Sequence, residues 1–457
     1  MTERPRSRAE VRPTKERVED QLLALPGVTG VDINHKMTGG RDTGVLSIVV
    51  YVDEKKPKGE IPAGQEVPAE IDGIPTDVQQ ETVELQNSFL SVLDITPQVD
   101  TTKYPTIHGG ISMGPCRSIF LQPPDVPAPG NYVFTGTLGA VVKDRASGAQ
   151  MALTNFHVAC VDSGWAAGNP MAQPSLVDGG SCPADRFGTL TRAVLNEGVD
   201  CAAVTIDPSR TVECTIEQIG DVRGTIGATI GVAVRKRGRT TGFTHGRVDS
   251  VDATVSIPYG DGLGTVTLRH QIRVVPDTAQ NARFSDRGDS GSVVVDADNR
   301  VLGLLFGGTT SGSATFLNPI QPVLDALSVD LCVKPVLVLT KPVVCQPLIT
   351  HRIVCQSTPI ICNVITKTPA LCGVLTAPVV CRPPITAQCP PISLACGPVV
   401  QPPGPVGDLG PEGVEGPSAS YGRADANSVD DAFWLGYYTA LEALSEAGDE
   451  ADGAGGA

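Results

Sequence analysis

The stretch Gly288-Asp289-Ser290-Gly291 sets a serine between two glycines, immediately before the apolar run Val293-Val294-Val295. A serine hydroxyl is a poor nucleophile at its own pKa. It needs a base within hydrogen-bond reach and donors aimed at the oxyanion that forms. Glycine helps with the second need, because a chain without Cβ turns sharply and brings main-chain N–H groups close to a carbonyl. Alone, the tetrapeptide also reads as ordinary turn chemistry, so its companions decide. His157 lies 133 positions earlier and is one of only six histidines. It follows the strand-like Ala152-Leu153-Thr154 and can face a cleft as a general base; a satisfied histidine at a strand end is the plainer alternative. Asp200 precedes the apolar run from Cys201 to Ile206. A buried carboxylate there would hold the histidine tautomer and stabilise the imidazolium, against the plainer reading of a turn aspartate. Glu197 and Asp207 compete for the same role.

These three residues need strands to hold them. Valine, isoleucine and threonine dominate the apolar runs, aromatics make up only 4%, and 50 Gly with 38 Pro punctuate the chain. That balance favours strands and loops over long helices. Short strands between frequent turn signals over residues 131–330 predict an all-β barrel or sandwich, with a closing helix near Val323 to Leu327.

The order His157, Asp200, Ser290 resembles the trypsin/chymotrypsin-like serine peptidases, over about residues 108–330. Thr154-Asn155-Phe156-His157-Val158-Ala159 is similar to that family's TAAHC segment, Val199-Asp200-Cys201-Ala202-Ala203-Val204 to its acid-bearing D-I-A-L, and Gly288-Asp289-Ser290-Gly291-Ser292-Val293-Val294-Val295 to GDSGGPVV. The run from Val234 to Val248 resembles the RxGxTTGxxxG segment of the bacterial, streptogrisin-like branch. The resemblance implies two six-stranded barrels, with His157 and Asp200 in the first and Ser290 in the second. It implies a serine endopeptidase working through a Ser-His-Asp triad and an acyl-enzyme: Ser290 attacks the carbonyl, His157 moves the proton, Asp200 orients His157, and the N–H groups of Gly288 and Ser290 form the oxyanion hole. The substrate would be protein or peptide, and this chemistry calls for no metal or organic cofactor. A catalytically silent scaffold or protein-binding module is the alternative.

Several positions depart from the family pattern. Cys160 stands three residues beyond His157 rather than beside it, so that family disulfide is not implied. The substrate-pairing segment reads Leu305-Phe306-Gly307-Gly308, without the usual Ser-Trp-Gly. Phe284, six residues before the serine, would be the floor of the specificity pocket, with Phe306, Gly307 and Gly308 also lining it and His245 a further candidate. An apolar floor points away from a preference for Lys or Arg.

The chain of 457 residues holds more than the barrels. Residues 1–15 read as a disordered basic leader. Residues 16–85 read as a small α+β domain: a helix from Glu16 to Leu25, strands at Val28 to Ile33 and Leu46 to Val52, and a strand–turn–strand from Val67 to Val78. No chemistry is legible in it; a structural appendage, a folding or inhibitory pro-domain and a docking module are the open readings. Residues 86–130 read as a loop-rich lead-in. Eight of the 13 cysteines fall between Cys332 and Cys396, interleaved with Pro, Thr, Val and Ile. Residues 331–397 thus read as a Cys/Pro-rich degenerate repeat, an extended tail or a disulfide-laced solenoid, able to reach the cleft in cis. Zinc binding fits less well, because no C-x-x-C spacing occurs. A linker (398–427), an amphipathic helix (428–446) suited to docking or to a protein partner, and an acidic tail (447–457) complete the chain.

A net charge of −15 argues against nucleic acid or an anionic membrane as partner. No apolar run reaches the length of a membrane span, and residues 1–20 lack the apolar segment of a signal peptide, which predicts a cytoplasmic location.

Overall fold

The computed structural model describes residues 6–334, except 87, 92–99, 124, 125, 127 and 261. The cysteine repeat, linker, terminal helix and acidic tail expected beyond Lys334 lie outside the described residues. Among those described, no helix is long and apolar enough to cross a membrane.

Six strands close the second barrel. Ala233–Gly238, Val293–Val295, Val301–Thr309, Thr315–Pro319, Thr265–Pro276 and Gly242–Pro258 pair in that order, and the last pairs back onto the first. Val234, Val248, Ile272, Val274, Leu305 and Leu317 fill it. The first barrel runs Ala140–Asp144, Gln150–Thr154, Asp200–Ile206, Arg186–Leu195, Pro170–Ala172, Ile111–Pro115 and Gly130–Leu138. The chain passes from the last of these strands to the first through Gly139. A Cβ there would lie 2.1 Å from the carbonyl oxygen of Gly291, so only glycine lets the serine-bearing loop dock against this corner. Between the barrels, Leu153, Cys201 and Ala203 share a core with Val293, Val295, Leu304 and the closing helix Ile320–Ala326.

Three boundaries move. Thr106–Gly109, Ile111–Pro115 and Ile119–Leu121 are strands within the expected lead-in: the second is a strand of the first barrel, the third pairs with Gly130–Leu138, and the first pairs with Thr211–Ile216 in a separate three-stranded sheet. Their short lengths and the flanking glycines and prolines hid them in the sequence. Val329–Leu331 pairs with Ala140–Asp144, and Cys332 closes a disulfide with Cys214, so the first cysteine of the expected repeat belongs to the barrels. Cys116 and Cys182 form a second disulfide. The Cys214–Cys332 link spans 118 residues. Replacing both cysteines with serine should cost about 5 kcal/mol in the chain-entropy account of such a loop, read as a lower urea midpoint with a raised m-value, because the unfolded chain is freed to expand.

The third boundary is at the start of the chain. The helix is Arg8–Leu23, beginning well inside the expected disordered leader. Ser7 and Glu10 cap it, the Ser7 N–H donating to Glu10 Oε2 at 2.8 Å. Val11, Lys15, Val18 and Leu22 lie on its buried face. Lys15 is buried, its ammonium paired with Glu19 and donating to Thr254 Oγ1. The helix packs on Val28–Thr38 and Arg41–Val52, whose residues Val31, Ile33, Ile48, Val50 and Val52 alternate toward it. Ile74–Gln80 runs parallel beside Arg41–Val52, after a turn at Asp72-Gly73 where both φ angles are positive.

This domain is joined to the second barrel by a shared sheet. Gly30 and Val31 pair with Val255 and Thr254. Beneath the seam Asp32 is wholly buried, accepting from Tyr51 Oη at 3.1 Å and from Ser250 Oγ at 2.5 Å. Arg269 reaches back to Glu19 and Asp20 at 2.5 and 2.6 Å.

Candidate active site

Strand pairing sets the base beside its acid. His157 sits in the single turn Phe156–Ala159 that follows Gln150–Thr154, and Asp200 opens the neighbouring strand Asp200–Ile206. Thr154 pairs with Ala202, which brings the two strand ends together. His157 Nδ1 lies 2.5 Å from Asp200 Oδ2, and the His157 main-chain N–H donates to Asp200 Oδ1 at 3.3 Å. Tyr259, absent from the sequence reading, donates its hydroxyl to Asp200 Oδ2 at 2.7 Å. Burial, and next the Asp200 charge, push the Tyr259 phenol well above its ordinary pKa, so it remains a donor. Asn318 Oδ1 accepts the Asp200 main-chain N–H at 3.0 Å, and Asn155 donates to the Asp200 carbonyl at 2.7 Å. The competing acids are elsewhere: Glu197 pairs with Arg269 and Asp207 with Arg186.

The serine loop docks on the strand end that leads to His157. Gly288 and Gly291 have φ of 97° and 94°, and a Cβ on Gly291 would lie 2.4 Å from Thr154 Oγ1. The Thr137 N–H donates to the Ser290 carbonyl at 2.7 Å. Asp289 faces inward, where Lys236 Nζ lies 3.0 Å from its Oδ2 and both side chains are wholly buried. Asp289 Oδ1 also accepts the N–H groups of Thr240 and Thr241 at 2.8 and 3.1 Å. Burial opposes the Asp289 charge, but Lys236 and these donors outweigh it and hold its carboxyl below the usual range. Ser290 Oγ donates to the Phe306 carbonyl at 3.1 Å, while His157 Nε2 is buried without a hydrogen-bond partner.

The cleft is filled by the chain itself. Val83–Leu85 pairs antiparallel with Val301–Thr309, setting Leu85 opposite Gly307 and Glu84 opposite Gly308. The Gln86 N–H donates to the Phe306 carbonyl at 3.2 Å. The Gln86 carbonyl oxygen accepts two N–H bonds, from Gly288 at 2.7 Å and Ser290 at 3.3 Å. Those are the two donors expected to form an oxyanion hole, and here both are taken by a main-chain carbonyl. The Gln86 side chain lies against Gly308, where a Cβ would come within 2.2 Å of its Nε2. Glu84 accepts from Arg287 at 2.5 and 3.1 Å. Past Gln86 the chain reaches Ser88–Ser91, which pairs with Gly130–Leu138 of the first barrel. It therefore crosses from the serine-bearing barrel to the histidine-bearing one.

Of the expected pocket residues, Gly307 and Gly308 touch this segment, and the Phe306 side chain shares a core with Val83 and Leu85. Phe284 is corrected. Its side chain is wholly buried among Val248, Val274 and Leu305, under the Lys236 ammonium, and lines no cleft. Its place in the chain had suggested a floor, but an apolar ring here belongs to the barrel interior. His245 stacks edge-on with Phe243 at 4.7 Å. The free cysteines near the acid, Cys160 and Cys201, are buried; burial, then Asp200, raises both thiols, so neither supplies a thiolate.

No protein-family model matches the chain. Two curated proteins are similar to part of it. Streptogrisin-D of Streptomyces griseus is 33% identical over 119 residues, 25% of this chain and 26% of that protein. Glutamyl endopeptidase 2 of the same organism is 28% identical over 185 residues, 40% of this chain and 84% of that protein. The chain thus spans about a quarter of the first relative and most of the second. Among solved structures, Thermobifida fusca protease A is 22% identical, covers 50% of this chain and all of its own, and superposes with a TM-score of 0.35.

Proposed function

We propose that this chain is a serine endopeptidase of the bacterial chymotrypsin/trypsin-like class, similar in sequence to the two Streptomyces peptidases. One observation carries the reading: a main-chain carbonyl rests on the N–H groups of Gly288 and Ser290, beside a histidine whose Nδ1 is held by a buried aspartate. In this reading Ser290 Oγ adds to the substrate carbonyl and His157 Nε2 accepts the hydroxyl proton. The developing oxyanion takes the two N–H bonds, and His157 returns the proton to the leaving amine. Water then hydrolyses the acyl-enzyme by the same route. Asp200, itself held by Tyr259 and the His157 N–H, keeps the imidazole in the tautomer whose Nε2 faces the reaction.

The unpartnered Nε2 and the filled cleft suit a second reading, a silent scaffold. One experiment separates the two. Leu85→Asp puts a carboxylate into an apolar contact and should release the segment from the cleft. Folded Leu85→Asp is expected to take up one fluorophosphonate group per chain by intact mass, and Leu85→Asp/Ser290→Ala none. A folded Leu85→Asp protein that stays unlabelled would sink the peptidase reading. With labelling in hand, Asp200→Asn should lower turnover of a peptide substrate about 10⁴-fold through loss of the productive tautomer.

A further inference from the structure

Among the described residues, three donors meet the wholly buried Asp200 carboxylate. Two belong to His157: its main-chain N–H faces Oδ1 and its Nδ1 faces Oδ2. The third is the Tyr259 hydroxyl, and it alone comes from the second barrel, which also carries Ser290. Tyr259 follows Gly242–Pro258 directly, at the tip of the hairpin that this strand makes with Thr265–Pro276. Main-chain bonds close the tip, from the Tyr259 N–H to the Gly264 carbonyl at 2.9 Å and from the Leu263 N–H to the Gly260 carbonyl at 2.8 Å. Ala253, Val255, Ile257 and Tyr259 recur at every second position and enter one apolar cluster. Leu263 packs against that cluster and against the core of the first barrel as well. Phenylalanine would satisfy this burial equally. The hydroxyl is the one part of Tyr259 for which an apolar cluster has no use, and a buried hydroxyl needs a partner. Its partner is the acid.

We propose that Tyr259 is a positioning residue of the reaction: its hydroxyl fixes the carboxylate that orients His157 and sets the pH at which His157 becomes competent as a base. The proposal rests on the peptidase reading above. Asp200 Oδ2 serves two donors at once, imidazole Nδ1 at 2.5 Å and the phenol at 2.7 Å. The phenol stabilises the carboxylate charge, so the carboxylate holds an imidazolium less firmly. The base is thereby freed of its proton at a lower pH. The two rings also meet edge-on, with centroids 6.0 Å apart, which limits the ways the imidazole can turn. Other charged groups near the pair are neutral or already matched. Burial keeps the thiols of Cys160 and Cys201 protonated. Arg117 is paired with Asp162, and on Arg186–Leu195 the two arginines are paired with Asp207 and Asp144. On the serine loop Asp289 is paired with Lys236 and Arg287 with Glu84.

The test uses the full chain opened by Leu85→Asp and, in parallel, by Glu84→Arg, which turns the contact with Arg287 into repulsion. The rate of fluorophosphonate labelling is followed against pH in each opened chain, with and without Tyr259→Phe, so that no peptide substrate has to be known. Tyr259→Phe is expected to slow labelling on the plateau about tenfold and to move the acid limb up by about one pH unit, the size of one hydrogen bond to a charged group. A ring-fluorinated tyrosine placed at 259 is a stronger donor of nearly the same shape. It should hold the plateau and move the acid limb down. A hydroxyl that only helps the hairpin to pack would give neither displacement. Overturning results are a Tyr259→Phe limb that stays where its parent's lies, or a fluorinated chain whose limb stays or moves up. If Tyr259→Phe does not fold, the fluorinated chain decides alone by the direction of its limb. Each of these outcomes leaves the peptidase reading standing. Absence of labelling in a folded opened chain with Tyr259 intact removes both.

Discussion

Ser290→Ala is expected to lower peptide turnover by about 10⁶-fold, to the level left when a nucleophile is removed from a site that acts as a unit. The residual rate would come from the N–H groups of Gly288 and Ser290, which alanine retains. The fold should survive. Ser290 Oγ makes one hydrogen bond, to the Phe306 carbonyl, and that carbonyl also accepts from Gln86. Removing a hydroxyl whose acceptor keeps another donor costs about 1 kcal/mol. The measurements are kcat on the Leu85→Asp background and the urea midpoint of Ser290→Ala in the otherwise wild-type chain. A rate loss below about a hundredfold would assign the chemistry to another group, and a collapse of the midpoint would make Ser290 structural.

Asp289→Ala should give the largest loss of stability. The carboxylate is the partner of a buried lysine ammonium and the acceptor for Thr240, Thr241 and Asp286 N–H groups. Removing one member of a buried pair leaves an uncompensated charge and costs about 3–5 kcal/mol. The loop that carries Gly288 and Ser290 loses its inner anchor at the same time. A shift of about an ångström in such donors can lower turnover about a hundredfold. Lys236→Met in the Asp289→Ala background should recover much of the stability by removing the stranded charge, without restoring the loop. Additive losses in that double variant would contradict the pairing.

The pH dependence follows with a definite sign. Asp289 has a folded pKa below its unfolded value. Its stabilisation is therefore full above the unfolded reference of about 3.9 and is lost as pH falls through the folded value. Asp178, buried against Arg239, is held low in the same way: burial opposes its charge and the guanidinium outweighs it. Acid unfolding should thus begin below about pH 4 in wild type. In Asp289→Ala the stranded Lys236 adds a dependence of the same sign at the alkaline end. Burial already lowers its pKa, so that variant should gain stability as the pH rises toward the reference lysine value of about 10.4.

Local chemistry was legible in the sequence where it depends on neighbours along the chain. Gly288-Asp289-Ser290-Gly291 before an apolar run, His157 after a short strand and Asp200 ahead of another are local patterns, and the structure places all three as strand ends or the turn between them. Asp72-Gly73 and the β-rich character are local in the same sense. Tertiary structure alone decided the rest. Tyr259 carries no local mark of a role, and only the fold carries it to Asp200. Phe284 reads as a pocket floor until the barrel closes over it. Lys15 and Lys236 each meet an acid in the interior, a pairing that residue type alone does not foretell. Nothing in Val83-Glu84-Leu85-Gln86 marks it as the occupant of a cleft. Glu84 meets Arg287 across 203 residues of sequence, and an antiparallel edge accepts almost any extended segment. Which segment fills that edge is settled by the sheet that the first domain shares with the second barrel, a contact that residue type and local periodicity do not encode.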